Sequence, residues 1–490
     1  MTDTLLNHAW AFTVVVGLPL LGIVAKAFGK SFERIAKWYL YIAVFAVVIV
    51  MDSIFFPFIG GKDWFFRFAV ELSLIAVLFW WAFEAREGEV GNRLKQLFKK
   101  PLVRAVTVFV IAFLLACIFA YDIHAAFWAN YERGEGGFQM IHYYLFFLLL
   151  VFLFREDKDW RRIFGFSLCA AGLMIVYGLL ANFGTAGYIG PYMGIPAPSG
   201  WFHKLIDGRF EGSLGNPAYV APYLMFSMFF AGYLWIKARF EKRLTKAKAW
   251  GYGILIAIFL FFFFLSQTRG AFIGMILAVF VFLLYLLFAG TSRERKWSGI
   301  LLAIFIVLGG GLFAVRNTTF VQNLPEGRLL QLSLSDGTAQ TRLWVWGEAW
   351  QGFLERPILG WGPENFTTVY DAHFNPKFFV PGQNTETWFD RAHSVFFDYL
   401  SETGIVGLLS YLGMFVVFVW EFFRMHRRGA GGIVLAGIIL AIPVAYLGQG
   451  IAIFDVFPMY VSLFLFVAFA TFYFEKGHAE VAKNESRITQ

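Results

Sequence analysis

The chain has 490 residues, of which 59% are hydrophobic, 20% aromatic and only 15% charged, and its mean hydropathy is +0.63. This profile excludes a soluble globular domain of ordinary composition and indicates an integral membrane protein whose spans are helices rather than barrel strands. The net charge of +8 is no argument for nucleic acid, because most of the excess sits in short loops suited to anionic headgroups.

Apolar runs long enough to cross the hydrocarbon recur along the chain. About thirteen spans are expected, near 10–28, 38–60, 65–84, 104–121, 138–154, 163–184, 217–236, 250–267, 270–290, 298–315, 394–423, 431–450 and 456–474. The first run lacks a basic leader and is followed almost at once by the next, so it reads as a retained span rather than a signal peptide. Lys/Arg-rich connections recur at every second loop: KAFGKSFERIAK (26–37), RLKQLFKKPLVR (93–104), REDKDWRR (155–162), KARFEKRLTKAK (237–248), SRERK (292–296) and RMHRR (424–428). By the positive-inside rule these are cytoplasmic. The larger connections 122–137, 185–216 and 316–393 then fall on the extracytoplasmic side, with the N-terminus outside and the C-terminal tail inside. Cys117 and Cys169 both lie inside expected spans, which suggests neither a disulfide framework nor a thiolate metal site. No nucleotide-binding glycine pattern, metal-ligand cluster or internal repeat is visible, so no cofactor is expected and any chemistry must draw its energy from the substrate.

Four stretches gather on the outer side. In DGRFEGSLGNPAYVAPYL (207–224), Asn216 and Pro217 read as a helix-entry turn, with Asn216 as cap and Pro217 at the first helical position. Arg209, just above the membrane, gains nothing from the positive-inside bias and is a candidate anion contact. In FFFFLSQTRGAFIGM (261–275), Arg269 follows one span and opens the next after almost no loop. It is either a snorkelling anchor or an interfacial cation whose guanidinium fork suits phosphate. Within 316–393, TRLWVWGEAWQGFLE places Leu343, Trp346, Trp350, Phe353 and Leu354 at helical spacing, predicting an amphipathic helix lying on the membrane or on the bundle. PILGWGPENF follows as a turn-rich return, and a connection of this length is a lid or binding element, or else a stabilising cap. Finally, FDRAHSVFFDYLSETGIVG (389–407) sets Asp390, Arg391 and His393 at the entry to a span. A histidine at a helix start is commonly structural, but imidazole is the side chain suited to exchange a proton near neutrality.

Together, GRFEGSLGNPAYVA, SQTRGA, RLWVWGEAW with PILGWGPENF, and HSVFFDYLSETGIVG resemble the O-antigen ligase and Wzy-type polymerase superfamily, including its protein O-oligosaccharyltransferase branch. The last stretch fits the family element H-[NSQ]-x9-G-x-x-G, with His393, Ser394, Gly404 and Gly407 in register. The resemblance implies an all-α polytopic helix bundle divided into N-terminal transmembrane helices (1–199), a catalytic region (200–423) that includes the 316–393 connection, and C-terminal helices with a cytoplasmic tail (424–490). It also implies transfer of a glycan from an undecaprenyl-diphosphate donor to an acceptor hydroxyl, without metal or cofactor, at the outer face of the bacterial cytoplasmic membrane. His393 is then the candidate general base, Arg209 and Arg269 the diphosphate contacts, and Arg342 and Arg391 secondary candidates. The acceptor is a lipid-linked core, a second lipid-linked repeat or a protein hydroxyl. Family ligases usually carry about twelve spans with both termini inside, so the extra N-terminal span is a departure. A transporter of lipid-linked sugars is the main non-enzyme rival, but no paired halves are visible and the charges cluster at one face. A peptidoglycan polymerase would be marked by a catalytic aspartate in the large outer loop, and a scaffold by a sizeable soluble module.

Overall fold

A computed structural model describes residues 2–51, 54, 56–130, 133–182, 209–318, 337–379, 387–427 and 432–488. Among these there are no strands and 17 α-helices. In chain order they are α1 (Thr2–Ala27), α2 (Phe32–Ala43), α3 (Gly60–Phe83), α4 (Glu89–Lys99), α5 (Pro101–Ile118), α6 (Ile123–Trp128), α7 (Gly137–Leu153), α8 (Asp157–Asn182) and α9 (Pro217–Phe240). They continue as α10 (Lys246–Leu265), α11 (Arg269–Ala289), α12 (Ser292–Ala314), α13 (Gly337–Glu355), α14 (Phe366–Ala372), α15 (Val395–Arg427), α16 (Ile433–Gly450) and α17 (Phe457–Ile488). Ten are long and apolar enough to cross a membrane, and Val14–Ala27 and α7 are shorter apolar helices. The chain is therefore an all-α, multi-pass membrane protein.

The helices α9 and α17 are mostly buried and form the centre of the bundle, whereas α12 turns Ile304, Val307 and Leu308 outward. Those outward apolar side chains suit lipid, because a helix satisfies its own backbone and needs no polar surroundings. Twelve of the expected spans have a helix at their place. The expected span 38–60 is corrected: its helix starts earlier, at Phe32, tightens into a 3₁₀ turn over Val44–Val48 and ends there. The β-branched run Val47-Val48-Ile49-Val50 is a poor helix former, and tertiary partners take over the backbone groups freed by the break. Ser213 Oγ donates to the Val47 carbonyl at 2.8 Å, and the buried Lys62 ammonium donates to the Ile49 carbonyl and, at 2.8 Å, to that of Ser213.

The expected amphipathic helix in the long connection is present as α13, but it buries a different face. Val345, Ala349 and Gly352 turn inward, with Val345 and Ala349 joining Trp361, Phe366, Val369 and Phe389 in a small separate core, while Leu343, Trp350 and Leu354 are exposed. Small side chains let α13 approach α14 closely, so the bulky stripe is left for another surface. Of that stripe Trp346 and Phe353 are half-buried, with Trp346 stacked on Phe397 at 5.1 Å.

Gly404 gives the glycine element its structural meaning. It interrupts α15 at φ 63°, ψ −167°, and a Cβ there would stand 2.4 Å from the Ile358 carbonyl carbon. This backbone region is essentially restricted to glycine. The close approach lets Ile405 N–H reach the Pro357 carbonyl (2.8 Å), while Gly362 N–H reaches that of Glu402 (2.7 Å). The PILGWG return is thereby fastened, backbone to backbone, onto the break in α15.

Candidate functional site

Arg209 folds back onto the tight turn that precedes Arg269. Its Nε donates to the Ser266 carbonyl at 3.0 Å and its Nη2 to Thr268 Oγ1 at 3.3 Å. Thr268 Oγ1 in turn donates to the Pro217 carbonyl at 3.1 Å, and Asn216 caps α9 as expected, accepting from Ala218 N–H at 2.9 Å. Arg269 opens α11, where exposed helix N–H groups favour an anion. Both arginines are half-buried. The neighbour of Arg269 is packed so closely that a Cβ on Gly270 would lie 3.4 Å from Ala452 Cβ. The turn therefore rests on the end of α16 and the connection that follows it.

His393 lies against the same connection. Val395 N–H donates to the Ile453 carbonyl at 3.0 Å, and the His393 ring meets Phe454 edge-on at 5.2 Å and Phe389 at 5.5 Å. The residue adopts φ +53°, an unusual conformation for a side-chain-bearing residue. Asp398 Oδ1 holds the preceding turn by accepting Ala392 N–H at 2.6 Å. His393 Nδ1 lies 3.1 Å from the Arg391 carbonyl. Since a carbonyl only accepts, Nδ1 carries the proton in this pair and the basic lone pair of the neutral ring is on Nε2.

Burial pushes the His393 imidazole down to about 4; the Arg391 carbonyl opposes this, the charge of Arg342 adds to it, and Asp390 and Arg133 act in opposite senses. The ring is therefore neutral near pH 7. Arg342, half-buried on α13, is close enough for its charge to act on that ring. The structure thus brings Arg209, Arg269, Arg342 and His393 to one end of the bundle, around residues 449–454.

Arg391 sits differently from the other arginines. Its side chain is buried, with Nη1 donating to both Glu402 oxygens (3.2 and 3.0 Å) and Nη2 bonded to Glu364. Beside it is a second charged pair that the sequence reading did not single out. Arg133 Nε and Nη2 donate to Asp390 Oδ2 (2.6 Å) and Oδ1 (3.0 Å), Nη1 donates to the Tyr219 hydroxyl (2.7 Å), and the guanidinium lies over Phe454 at 4.8 Å. Burial alone would raise the Asp390 carboxyl, but the hydrogen bonds and charge of Arg133 outweigh it and hold it below its usual value. Arg133 belongs to the connection 122–137, where an arginine among glycines was the available signal. Glu364 and Glu402 sat inside the quoted motifs, but nothing in the sequence paired them with Arg391. Among the described residues no group of three His, Cys, Asp or Glu could hold a metal ion.

Chemically, this end of the bundle offers cations for an oxyanion, a neutral imidazole with a defined tautomer, and a buried ionic frame behind it. Residues 254–412 match the family model described as O-antigen ligase. That segment contains Arg269, Arg342, Arg391 and His393; Arg209 lies before it. No curated protein matches the chain.

Proposed function

Residues 254–412 make this chain a member of the O-antigen ligase superfamily, and on that premise we propose that it transfers a glycan from an undecaprenyl-diphosphate carrier to an acceptor hydroxyl at the outer face of the bacterial cytoplasmic membrane. The observation that carries the reading is the neutral His393, its Nδ1 occupied by the Arg391 carbonyl, at the same end of the bundle as Arg209 and Arg269. The acceptor oxygen attacks the anomeric carbon, the bond from that carbon to the diphosphate oxygen breaks, and the hydroxyl proton passes to His393 Nε2. One displacement inverts the anomeric centre. The departing diphosphate gains negative charge, which preorganised arginines in a partly water-excluded site stabilise. Its arrival also favours the imidazolium, so donor binding raises the proton affinity of His393 from its low resting value. Arg342 is a further contact to the donor, and Arg391 holds the long connection in place. A lipid-linked core, a lipid-linked repeat or a protein hydroxyl would use the same proton path as acceptor.

The experiment is transfer by purified protein from lipid-linked donor to acceptor, with and without chelator. His393→Ala lowers transfer by about 10²–10⁴-fold while donor binding survives, because the diphosphate contacts are elsewhere. Transfer that persists in this variant removes the histidine from the mechanism, and loss caused by chelator alone reveals a metal requirement.

A further inference from the structure

The helices α5, α7 and α17 run from the His393 end of the bundle to an opposite end that the glycan-transfer reading leaves unused. There, the connections 84–100, 154–157 and 241–245 and the distal part of α17 enclose a cavity of about 750 Å³. Its wall is mixed: Val151, Phe152, Phe154 and Phe472 form an apolar side, and seven basic side chains stand against four acidic ones. Each carboxylate already has a partner. Lys100 pairs with Glu475 at 2.8 Å, Lys158 with Glu156 at 2.7 Å, Arg161 with Glu241 at 3.4 Å, and Lys476 with Asp157.

Three arginines of the lining have no carboxylate of the lining to themselves: Arg93, whose ion pairs are with Glu89 and Glu33 outside it, Arg155, and Arg243. Arg155 makes no hydrogen bond or ion pair among the described residues, and Arg243 reaches Glu241 only at 3.7 Å. Arg93 is the most informative. Its side chain is 9% exposed and bonded to Glu89 through Nη2, yet its buried Nε and Nη1 have no hydrogen-bond acceptor among the described residues, the nearest Glu33 oxygen being 3.6 Å from Nη1. Buried donors of a charged group are costly to leave unmet.

We propose that this cavity is a binding site for the phosphodiester headgroup of an anionic membrane lipid. Arginine forks match phosphate oxygens bidentately, and a wall of seven basic against four acidic side chains suits an anionic headgroup. The phenylalanine side gives the attached glycerol and first acyl carbons an apolar surface, which a free phosphate would not use. Basic recesses between spanning helices at the cytoplasmic interface are the places where such headgroups bind, and the basic loops of this chain assign this end to the cytoplasm.

The test uses the full chain in phosphatidylcholine nanodiscs, with retention of added cardiolipin read by native mass spectrometry and thermal unfolding recorded alongside. Arg155→Gln/Arg243→Gln, both at exposed positions, lowers cardiolipin retention on the order of tenfold, while Lys246→Gln/Lys248→Gln, an equal charge loss outside the cavity, leaves it unchanged. Phosphatidylethanolamine shows no difference between the variants. If the double variant unfolds early, Arg155→Gln alone must still weaken retention. Equal retention in the cavity variant and the parent overturns the proposal. So does inorganic pyrophosphate binding as tightly as cardiolipin, which would assign the cavity to a soluble anion.

Discussion

Replacing Arg391 by methionine separates two roles for that side chain, holding the long connection in place and touching the donor. In the folded protein its guanidinium is shared between Glu364 and Glu402, whose side chains are 1% and 5% exposed. Arg391→Met keeps the length and the apolar stem but leaves two buried carboxylates without their counter-charge. Removing one partner of a buried ion pair costs about 3–5 kcal/mol, and with two acids stranded the upper part of that range is expected. Protonation offers a partial escape. Burial already raises the Glu364 carboxyl, and Arg391 is the main influence holding it down, so the variant raises it further. A carboxyl whose folded value exceeds its unfolded value takes up a proton on folding, so the variant loses stability as pH rises. Thermal unfolding in mild detergent at about pH 5.5 and about pH 8 should show a larger deficit at the higher pH. The double variant Arg391→Met/Glu402→Gln should be less destabilised than the two single effects added together. An Arg391→Met protein as stable as the parent, but unable to bind donor, refutes this reasoning and returns Arg391 to the substrate.

Three further outcomes test the site and its support. Arg269→Lys keeps the charge but not the fork, so it should lose much of the transfer activity that Arg269→Ala loses, with Arg209→Lys behaving alike; full activity in the lysine variants at normal expression would make these arginines simple interfacial anchors. Because the resting imidazole of His393 is held down to about 4, kcat/KM should stay flat on acidification to about pH 5 and fall only as pH approaches 4, whereas kcat, which reports the donor-bound state, should fall at higher pH; an acid limb of kcat/KM near 6.5 would contradict the buried, cation-flanked ring. Gly404→Ala should cost at least about 1–3 kcal/mol from its backbone conformation alone, more with the Ile358 contact, while Gly413→Ala, a helical position with open space around its Cβ, should be neutral or slightly stabilising; equal unfolding temperatures for the two variants would show that the α15 break is not needed.

The sequence by itself determined the membrane class and the position of nearly every spanning helix, because apolar length and basic loops are local signals read along the chain. It misjudged 38–60, where a β-branched stretch is uniformly apolar and only Lys62 and Ser213, from elsewhere in the fold, reveal that the helix ends at Val48. The face of α13 followed the same logic: periodicity marks the bulky stripe, but which side turns inward depends on how closely α14 can approach. Arg391 and Arg133 were indistinguishable from the other cations expected on the outer side until folding placed Glu402, Glu364 and Asp390 against them. Charge pairing across 11 to 257 positions of sequence has no local signature. What only the tertiary structure decided is therefore which cations are paired with buried carboxylates, which lie at the His393 end of the bundle, and which ring nitrogen of His393 faces the Arg391 carbonyl.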